Sequence, residues 1–306
     1  MYLFRIDAGR VLAPSGHQHA TARLRLLLLS SRAGTASSIG GIPVRRPEAQ
    51  IVDPQSPPPE RVTERRRRRL LVPIAGGAVA AVFWLADSAR EHDGPSRIDP
   101  TTASHVLTIR TPILTDLAQT LTFLGSEVAV GVLAMLAFTV LLVRRESDRA
   151  AVFAIGIAGS AFLTLTIKLL VDRHRPGPVD RLGAVDTSYS FPSGHTLNSA
   201  VFLALAVWLL WPVASRVARY SLVAGGVLLA LGVAASRVYL GYHWLTDVIA
   251  SALVAVAWLS ILVMLRDPVQ HLLRRHRLAE QATGSRASAV LLGDLPRFRR
   301  GRRRGG

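Results

Sequence analysis

Residues 150–171 read AAVFAIGIAGSAFLTLTIKLLV, and this stretch decides the fold class of the chain. Its side chains are apolar or small, apart from Lys168, which is the only lysine in the sequence. A helix needs about 20 such residues to cross about 30 Å of hydrocarbon. The stretch is therefore predicted to be a transmembrane helix, and an ionisable group near its end requires a functional reason.

Five further apolar segments lie on either side of this stretch, divided by short polar or arginine-containing sequences. Together they predict an all-α, polytopic membrane protein in which six transmembrane helices form a bundle over residues 70–265. The six predicted spans are Leu70–Ala86, Val128–Val143, Ala150–Val171, Leu197–Val213, Ser221–Leu240 and Val248–Leu265.

Charge is segregated from this apolar part of the 306-residue chain, which is 50% hydrophobic and carries a formal charge of +17. Residues 1–69 hold 13 arginines and 5 acidic residues, and residues 266–306 hold 11 arginines and 3 acidic residues. Residues 70–265 are therefore nearly neutral. A nearly neutral folded part lacks the basic footprint of a nucleic-acid-binding domain. The absence of cysteine excludes a disulfide-stapled domain, a zinc–thiolate site and a cysteine-dependent enzyme.

The two basic tails, residues 1–69 and 266–306, are predicted to be disordered. Residues 33–59 are rich in Gly, Ser and Pro, and Arg65–Arg69 directly precede the first span as a juxtamembrane anchor. We expect the tails to contact anionic lipid. Binding of RNA by the arginine-rich C-terminal tail is the alternative interpretation, but we do not expect a nucleic-acid partner.

Loop arginines set the predicted orientation, because cytoplasmic loops are enriched in positive charge. With six spans, Arg144, Arg145 and Arg149 lie on the same side as Arg216 and Arg219 and as both tails. The chain is thus predicted to be a multi-pass protein of the cell membrane with both termini in the cytoplasm. The loops predicted on the outer side are residues 87–127, 172–196 and 241–247.

The first outer loop contains a helix signal. Thr111-Pro112 predicts an N-cap and a first helical residue, and leucines follow at three- and four-residue spacing up to Leu124. This pattern predicts either an amphipathic helix at the outer interface or an ordinary packed helix without a role in substrate binding.

Polar residues that are costly in a membrane all fall on the predicted outer side. Cations, histidines and a carboxylate gathered at one depth are typical of an anion-binding site. The candidate residues are Lys168, Arg175, Ser193, Gly194, His195, Arg237, His243 and Asp247.

The spacing of His243 and Asp247 predicts an activated nucleophile. The two residues are four apart, so they share a helix face if the sixth helix begins early. The carboxylate then accepts a hydrogen bond from one ring nitrogen, which fixes the tautomer and directs the other lone pair outward.

The remaining candidates predict a phosphoryl cradle. Pro192–His195 opens a helix, whose free backbone N–H groups bind anions, and Gly194 permits close approach. Lys168, Arg175 and Arg237 supply positive charges that balance a phosphoryl group. His195 is then available as the general acid.

Three patches carry a family resemblance. They are Lys168-x6-Arg175-Pro176, then Pro192-Ser193-Gly194-His195, then Ser236-Arg237-x5-His243-x3-Asp247. In order and spacing they resemble the three-part signature of the type 2 phosphatidic acid phosphatase superfamily, which also includes vanadium haloperoxidases. The resemblance covers about residues 112–265, with the signature in 168–247. A second copy of the middle patch, Pro14–His17, lacks partner motifs and is interpreted as a chance match.

The resemblance implies a role for each residue. His243 attacks phosphorus to form a phosphohistidine, Asp247 supports it, and His195 protonates the leaving group. The residues implied to hold the phosphoryl oxygens are Lys168, Arg175, Ser193, Gly194 and Arg237.

The sequence thus favours a membrane phosphatase acting on a phosphomonoester or diphosphate of a lipid at the outer leaflet. No carboxylate cluster suited to Mg²⁺ or Ca²⁺ is visible, so no metal and no cofactor are expected. Undecaprenyl diphosphate, phosphatidic acid and phosphatidylglycerol phosphate all fit the predicted cradle. Two alternatives are a vanadate-dependent haloperoxidase-like enzyme, which six spans disfavour, and a non-catalytic lipid-phosphate-binding or transport protein.

Overall fold

The computed structural model of the chain describes residues 59–266, without the side chains of residues 59–63 and 179. The tails outside this range, and the second Pro-Ser-Gly-His copy at residues 14–17, lie outside the described residues. Within residues 59–266 all regular structure is helical, as the sequence predicts. The α-helices are α1 (Pro59–Glu91), α2 (Ile98–Thr108), α3 (Pro112–Leu124), α4 (Glu127–Val143), α5 (Ser147–Val171), α6 (Gly194–Leu210), α7 (Arg216–Tyr239) and α8 (Leu245–Arg266).

Helix α1 begins eleven residues before the predicted first span. The sequence assigns residues 59–69 to the disordered tail, whereas the structure makes them the first turns of the 33-residue helix α1. Proline is well suited to a first helical position, and arginine is a good helix former. Arg68 also pairs with Glu64 one turn earlier, at 2.9 Å between the nitrogen and the carboxylate oxygen. These local preferences extend the helix beyond the apolar segment.

Four helices are long and apolar enough by themselves to cross a membrane, namely α1 from Glu64, α5, α7 and α8. Helix α4, the predicted second span, meets the same test only together with α3, from which it is bent by 42°. Helix α6, the predicted fourth span, is apolar but has only 17 residues. The described residues therefore show a multi-pass helical protein with four or five candidate spans, and the count of six stays a prediction.

Polar side chains begin the helices around the bent pair. The Thr111 hydroxyl accepts a hydrogen bond from the Leu114 N–H at 3.3 Å, so the predicted cap of α3 is confirmed. Ser126 caps α4 in the same way, accepting from the Ala129 N–H at 3.1 Å. Helix α2, by contrast, lies in the loop before Thr111 and is not predicted from the sequence.

The core lies where α4, α5, α6 and α8 meet, while large apolar side chains remain on the outside of the bundle. Phe162 is 67% exposed and Leu228 is 69% exposed, which a bilayer would cover. The buried core residues are Ala134, Leu141, Ala150, Val152, Phe153, Leu197, Val201, Leu205, Val254, Ala255 and Leu262.

Helices α5 and α8 approach closely at a pair of glycines. The Trp258 Nε1–H of α8 donates to the Gly156 carbonyl of α5 at 2.9 Å. A Cβ added at Gly159 would lie 2.0 Å from Cζ2 of the same indole. Only a residue without a side chain therefore lets the tryptophan lie across α5.

We expect Gly159→Ala to lower the free energy of unfolding by about 1–3 kcal/mol, because the added methyl group overlaps the Trp258 ring. Thermal unfolding in detergent, followed by tryptophan fluorescence, measures the effect. Gly225→Ala is the matched control, since nothing lies within 4 Å of a Cβ at that position of α7. Equal melting temperatures for the two variants would contradict this packing.

Candidate functional site

The site lies at the end of the bundle where α5 and α7 end and where α6 and α8 begin. The chain turns sharply between α7 and α8 at Gly241, whose φ of +76° favours glycine. A Cβ there would also lie 2.5 Å from the Asp180 carbonyl oxygen. The turn places His243 against Asp247, and the Tyr242 and His243 amides both donate to the Arg237 carbonyl, at 3.0 and 3.2 Å.

His243 and Asp247 face each other, although not on one helix. Helix α8 begins at Leu245, three residues before the predicted span but two residues after His243, so the condition under which the two residues would share a helix face is not met. The turn nevertheless brings His243 Nδ1 to 3.4 Å from Asp247 Oδ2. The other ring nitrogen, Nε2, lies 3.3 Å from an Arg175 guanidinium nitrogen. Both His243 and Asp247 are buried.

The Asp247 carboxylate is fixed by neighbours on both oxygens. Its Oδ2 accepts hydrogen bonds from the Ser190 hydroxyl and, at 2.9 Å, from the Trp244 N–H. Its Oδ1 accepts from the Arg173 guanidinium at 2.6 Å. The carboxylate therefore holds one orientation toward the imidazole.

Burial determines the protonation of His243. Burial is the largest cause that lowers the pKa of the imidazole from 6.5 to about 4. The hydrogen bond and the charge of Asp247 raise this pKa, and the charges of Arg175 and Arg237 lower it. The ring is therefore neutral near pH 7. A neutral imidazole with one lone pair free is the nucleophilic form.

Arg175 is held rigidly by the loop between α5 and α6. Its Nε donates to the Ser188 carbonyl at 2.7 Å, and one terminal nitrogen donates to the Tyr242 carbonyl at 2.7 Å. The other terminal nitrogen lies 2.6 Å from an Asp186 carboxylate oxygen. Burial raises the pKa of Asp186, but the charge of Arg175 and the Ser188 hydrogen bonds outweigh it and keep the pKa below its usual value.

Lys168, in the last turn of α5, points to the same loop. Its ammonium donates to the Ser188 hydroxyl at 3.1 Å and to the Tyr189 carbonyl. Because Ser188 also accepts from Arg175, at 2.9 Å, one loop residue holds both cations. The cations are thus placed side by side before any anion binds.

Ser193 and Gly194 form the start of α6. The Ser193 side chain is fully buried, and its hydroxyl caps the helix by accepting from the Thr196 N–H at 3.5 Å and the Thr196 hydroxyl at 3.1 Å. Gly194 and His195 line the adjoining cavity, whereas Ser193 does not. The structure thus shows Ser193 as the residue that fixes the helix end.

Arg237 is buried, and its carbonyl accepts from the His243 N–H. One terminal nitrogen donates to the Thr122 hydroxyl at 2.8 Å, and the guanidinium carbon lies 4.0 Å from the centre of the Tyr242 ring. Its Nε is buried without a hydrogen-bond partner among the described residues. A buried donor without a partner is uncommon and is typical of a binding site.

A cavity of about 620 Å³ lies beside these residues, although Ser193, Arg237 and Asp247 are not among the residues that line it. Lys168, Arg175, His195 and His243 line its polar end. Helices α4, α5 and α6 form its walls, which are largely apolar. The residues along those walls include Glu127, Val130, Gly131, Ile157, Ser160, Ala161, Thr164, Leu165 and Asn198.

Several residues of the site escape prediction from the sequence. Arg173 and Ser190 contact the catalytic candidate Asp247, and Glu127 lines the cavity, yet none belongs to the three patches. The sequence signal that could have indicated Arg173 was its position, two residues before Arg175. In residues 59–266, no group of three or more His, Asp or Glu side chains is arranged to hold a metal ion.

Comparison with known proteins gives the class. Residues 149–269, which contain most of α5, all of α6 to α8 and all three patches, match the family model described as PAP2 superfamily. A solved structure described as the first transmembrane PAP2 type phosphatidylglycerolphosphate phosphatase from Bacillus subtilis has a similar fold, with a TM-score of 0.53 and 23% identity. The similarity covers 66% of this chain and 96% of that one.

Two curated relatives are each named phosphatidylglycerophosphatase B. The chain is 38% identical to the Escherichia coli (strain K12) protein over 85 residues, which are 28% of this chain and 32% of that protein. It is 27% identical to the Bacillus subtilis (strain 168) protein over 172 residues, which are 55% of this chain and 83% of that protein. The chain thus spans about a third of the length of the Escherichia coli relative.

The buried neutral His243 predicts a loss of stability in acid. Between its ordinary pKa of 6.5 and its folded value of about 4, the unfolded chain binds the proton more readily, so stability falls as the pH is lowered through this window. We expect a loss on the order of 3 kcal/mol, measured by thermal unfolding at a series of pH values.

His243→Gln, which does not titrate, should reduce this pH dependence. His105→Gln is the matched control, because His105 is exposed on α2. If His243→Gln kept the wild-type pH dependence, the imidazole would not be neutral in the folded protein.

Proposed function

We propose that this protein hydrolyses a phosphate ester or diphosphate of a lipid, without a metal, through a phosphohistidine on His243. One observation carries the proposal. A neutral, buried imidazole has Nδ1 facing a fixed carboxylate and Nε2 facing the guanidinium of Arg175, at the polar end of a cavity. This arrangement is that of an activated nucleophile beside an anion site.

In the first step, the lone pair of His243 Nε2 attacks phosphorus and the bond to the leaving oxygen breaks. The imidazole becomes positively charged, and Asp247 stabilises that charge at Nδ1. His195, which lines the same cavity from the first turn of α6, donates a proton to the leaving oxygen.

In the second step, a water molecule attacks the phosphohistidine. His195, now without its proton, accepts a proton from that water, and the phosphorus–nitrogen bond breaks to release phosphate. His243 returns to its neutral form and His195 to its protonated form, so the cycle closes without a further reactant.

Charge complementarity supports binding of the phosphoryl group. Lys168 and Arg175 line the cavity, and the first N–H groups of α6 at Gly194 lie beside them. Arg237 adds a buried Nε that has no partner among the described residues. Such fixed donors stabilise charge that develops on the phosphoryl oxygens in the transition state. Ser193 acts indirectly, by fixing the end of α6.

The apolar wall of the cavity supports a lipid as substrate. Val130, Ile157 and Leu165 extend the cavity away from the charged end, between helices that are exposed to lipid. A chain attached to the phosphate would lie along this wall. The names of the Escherichia coli and Bacillus subtilis relatives make phosphatidylglycerol phosphate the first lipid to test.

We expect purified protein in detergent to release phosphate from at least one of phosphatidylglycerol phosphate, phosphatidic acid and undecaprenyl diphosphate. His243→Ala should lower this turnover by at least about 10³-fold, because the nucleophile is removed. Release of inorganic phosphate is the measurement.

His105→Ala, on the exposed face of α2, is the matched control and should retain wild-type turnover. Turnover should also persist in excess chelator. Binding of these lipids without phosphate release would favour a non-catalytic binding protein, and loss in chelator with recovery on Mg²⁺ would contradict the metal-free mechanism.

Loop charge supports a site that faces away from the cytoplasm, in a six-span arrangement with both termini inside. At the end of the bundle opposite the site, Arg144 and Arg145 lie between α4 and α5, Arg149 lies in the first turn of α5, and Arg216 and Arg219 lie in the first turn of α7. Loops rich in arginine remain in the cytoplasm.

The absence of cysteine from the sequence allows a direct test. Val185 at the site end and Val213 at the opposite end are both 79% exposed, which makes them a matched pair. We expect a membrane-impermeant thiol reagent to label Val185→Cys in intact cells, and Val213→Cys only after permeabilisation. The reverse pattern would overturn the orientation.

A further inference from the structure

A buried network joins the nucleophile's carboxylate to a part of the chain outside the three patches. Arg173 donates to Asp247 Oδ1 at 2.6 Å and, through its other terminal nitrogen, to Asp99 Oδ2 at 2.7 Å. Asp99 is 1% exposed, Arg173 7% and Asp247 fully buried. One guanidinium is therefore shared between two carboxylates away from solvent.

Asp99 is held by more than this ion pair. Its Oδ1 accepts from the Thr246 N–H at 3.0 Å, and its Oδ2 accepts from the Thr246 hydroxyl at 2.5 Å. The same hydroxyl accepts from Arg173 at 2.8 Å. Thr246 directly precedes Asp247 in the first turn of α8, so Asp99 fixes the backbone and the side-chain environment of the carboxylate together.

The segment that carries Asp99 is itself fastened to the end of α1. The Ser96 N–H donates to the Ser88 hydroxyl at 3.0 Å, and the Ser96 hydroxyl donates to the Ser88 carbonyl at 2.7 Å. Both serines are buried. Helix α1 thus delivers Asp99 to the site, although α1 contains none of the candidate catalytic residues.

The charges of this network suit the proposed chemistry. Arg173 bound to Asp247 alone would neutralise it, and a neutralised carboxylate stabilises an imidazolium weakly. The second carboxylate, Asp99, competes for the same guanidinium and leaves the buried group with a net negative charge. That charge faces His243 and favours the positive charge that forms on the ring when Nε2 attacks.

We propose that Asp99, acting through Arg173, is a positioning residue that keeps Asp247 oriented and negatively charged toward His243. This inference rests on the proposed hydrolysis at His243. It assigns a function to the first turn of α2, which the sequence patches leave without one. Arg173 contacts the Asp247 carboxylate and Asp99 contacts Arg173, and neither residue contacts the reacting atoms, so their effect falls on the chemical step.

The isosteric variant Asp99→Asn tests the inference. We expect kcat to fall roughly tenfold, as for partners that orient a catalytic group from outside, with KM within about twofold. Thr246→Val, which removes the hydroxyl between Asp99 and Arg173, should act in the same direction. If thermal unfolding shows that Asp99→Asn is not folded, Thr246→Val takes its place as the test variant.

Two backgrounds separate positioning from a general structural defect. In Asp247→Asn the further loss from Asp99→Asn should disappear, because the residue it acts on is already changed. In His195→Ala, which acts through a different group, the full tenfold loss should remain. Equal losses in both backgrounds, or no loss in the wild type, would overturn the inference while leaving the proposed function intact. A wild-type protein without phosphatase activity would instead overturn the proposed function, and this inference with it.

Discussion

The site end of the bundle depends on one buried guanidinium. Arg173 holds carboxylates from two distant parts of the chain, Asp99 after α1 and Asp247 in α8. Removing one partner of a buried ion pair leaves an uncompensated buried charge. The free-energy cost of that charge is far larger than the net stabilisation that the intact pair provides. The helix ends that meet at this arginine therefore have little freedom, and His243, which faces Asp247, is positioned by them.

Apolar and polar side chains are distributed differently along the bundle and at its site end. Along the bundle, apolar side chains such as Phe162 and Leu228 remain exposed, because a bilayer and not water would surround them. At the site end, polar groups are buried and paired with one another, as for Arg175 with Ser188 and Asp186. The loop between α5 and α6 thus holds these cations in fixed positions.

Apolar runs and local signals were predictable, whereas positions decided by distant contacts were not. The end of α5 at Val171 and the cap of α3 at Thr111 follow from local sequence and agree with the structure. Helix α2 was missed, and α1 was begun too late, because hydropathy marks membrane spans and not the helices that extend beyond them. The contact between His243 and Asp247 was predicted only on condition that the sixth helix begins early, but the turn at Gly241 produces it without that helix.

By itself the sequence determined the helical membrane class and the three patches, because the length of an apolar segment and the spacing of residues are local properties of the sequence. Only the tertiary structure decided which groups surround Asp247, that Ser193 caps α6, and that the cavity runs between α4, α5 and α6. Asp99 shows the reason most clearly. It is far from Asp247 along the chain, and no local pattern distinguishes a buried carboxylate that shares an arginine from a solvated one in a loop.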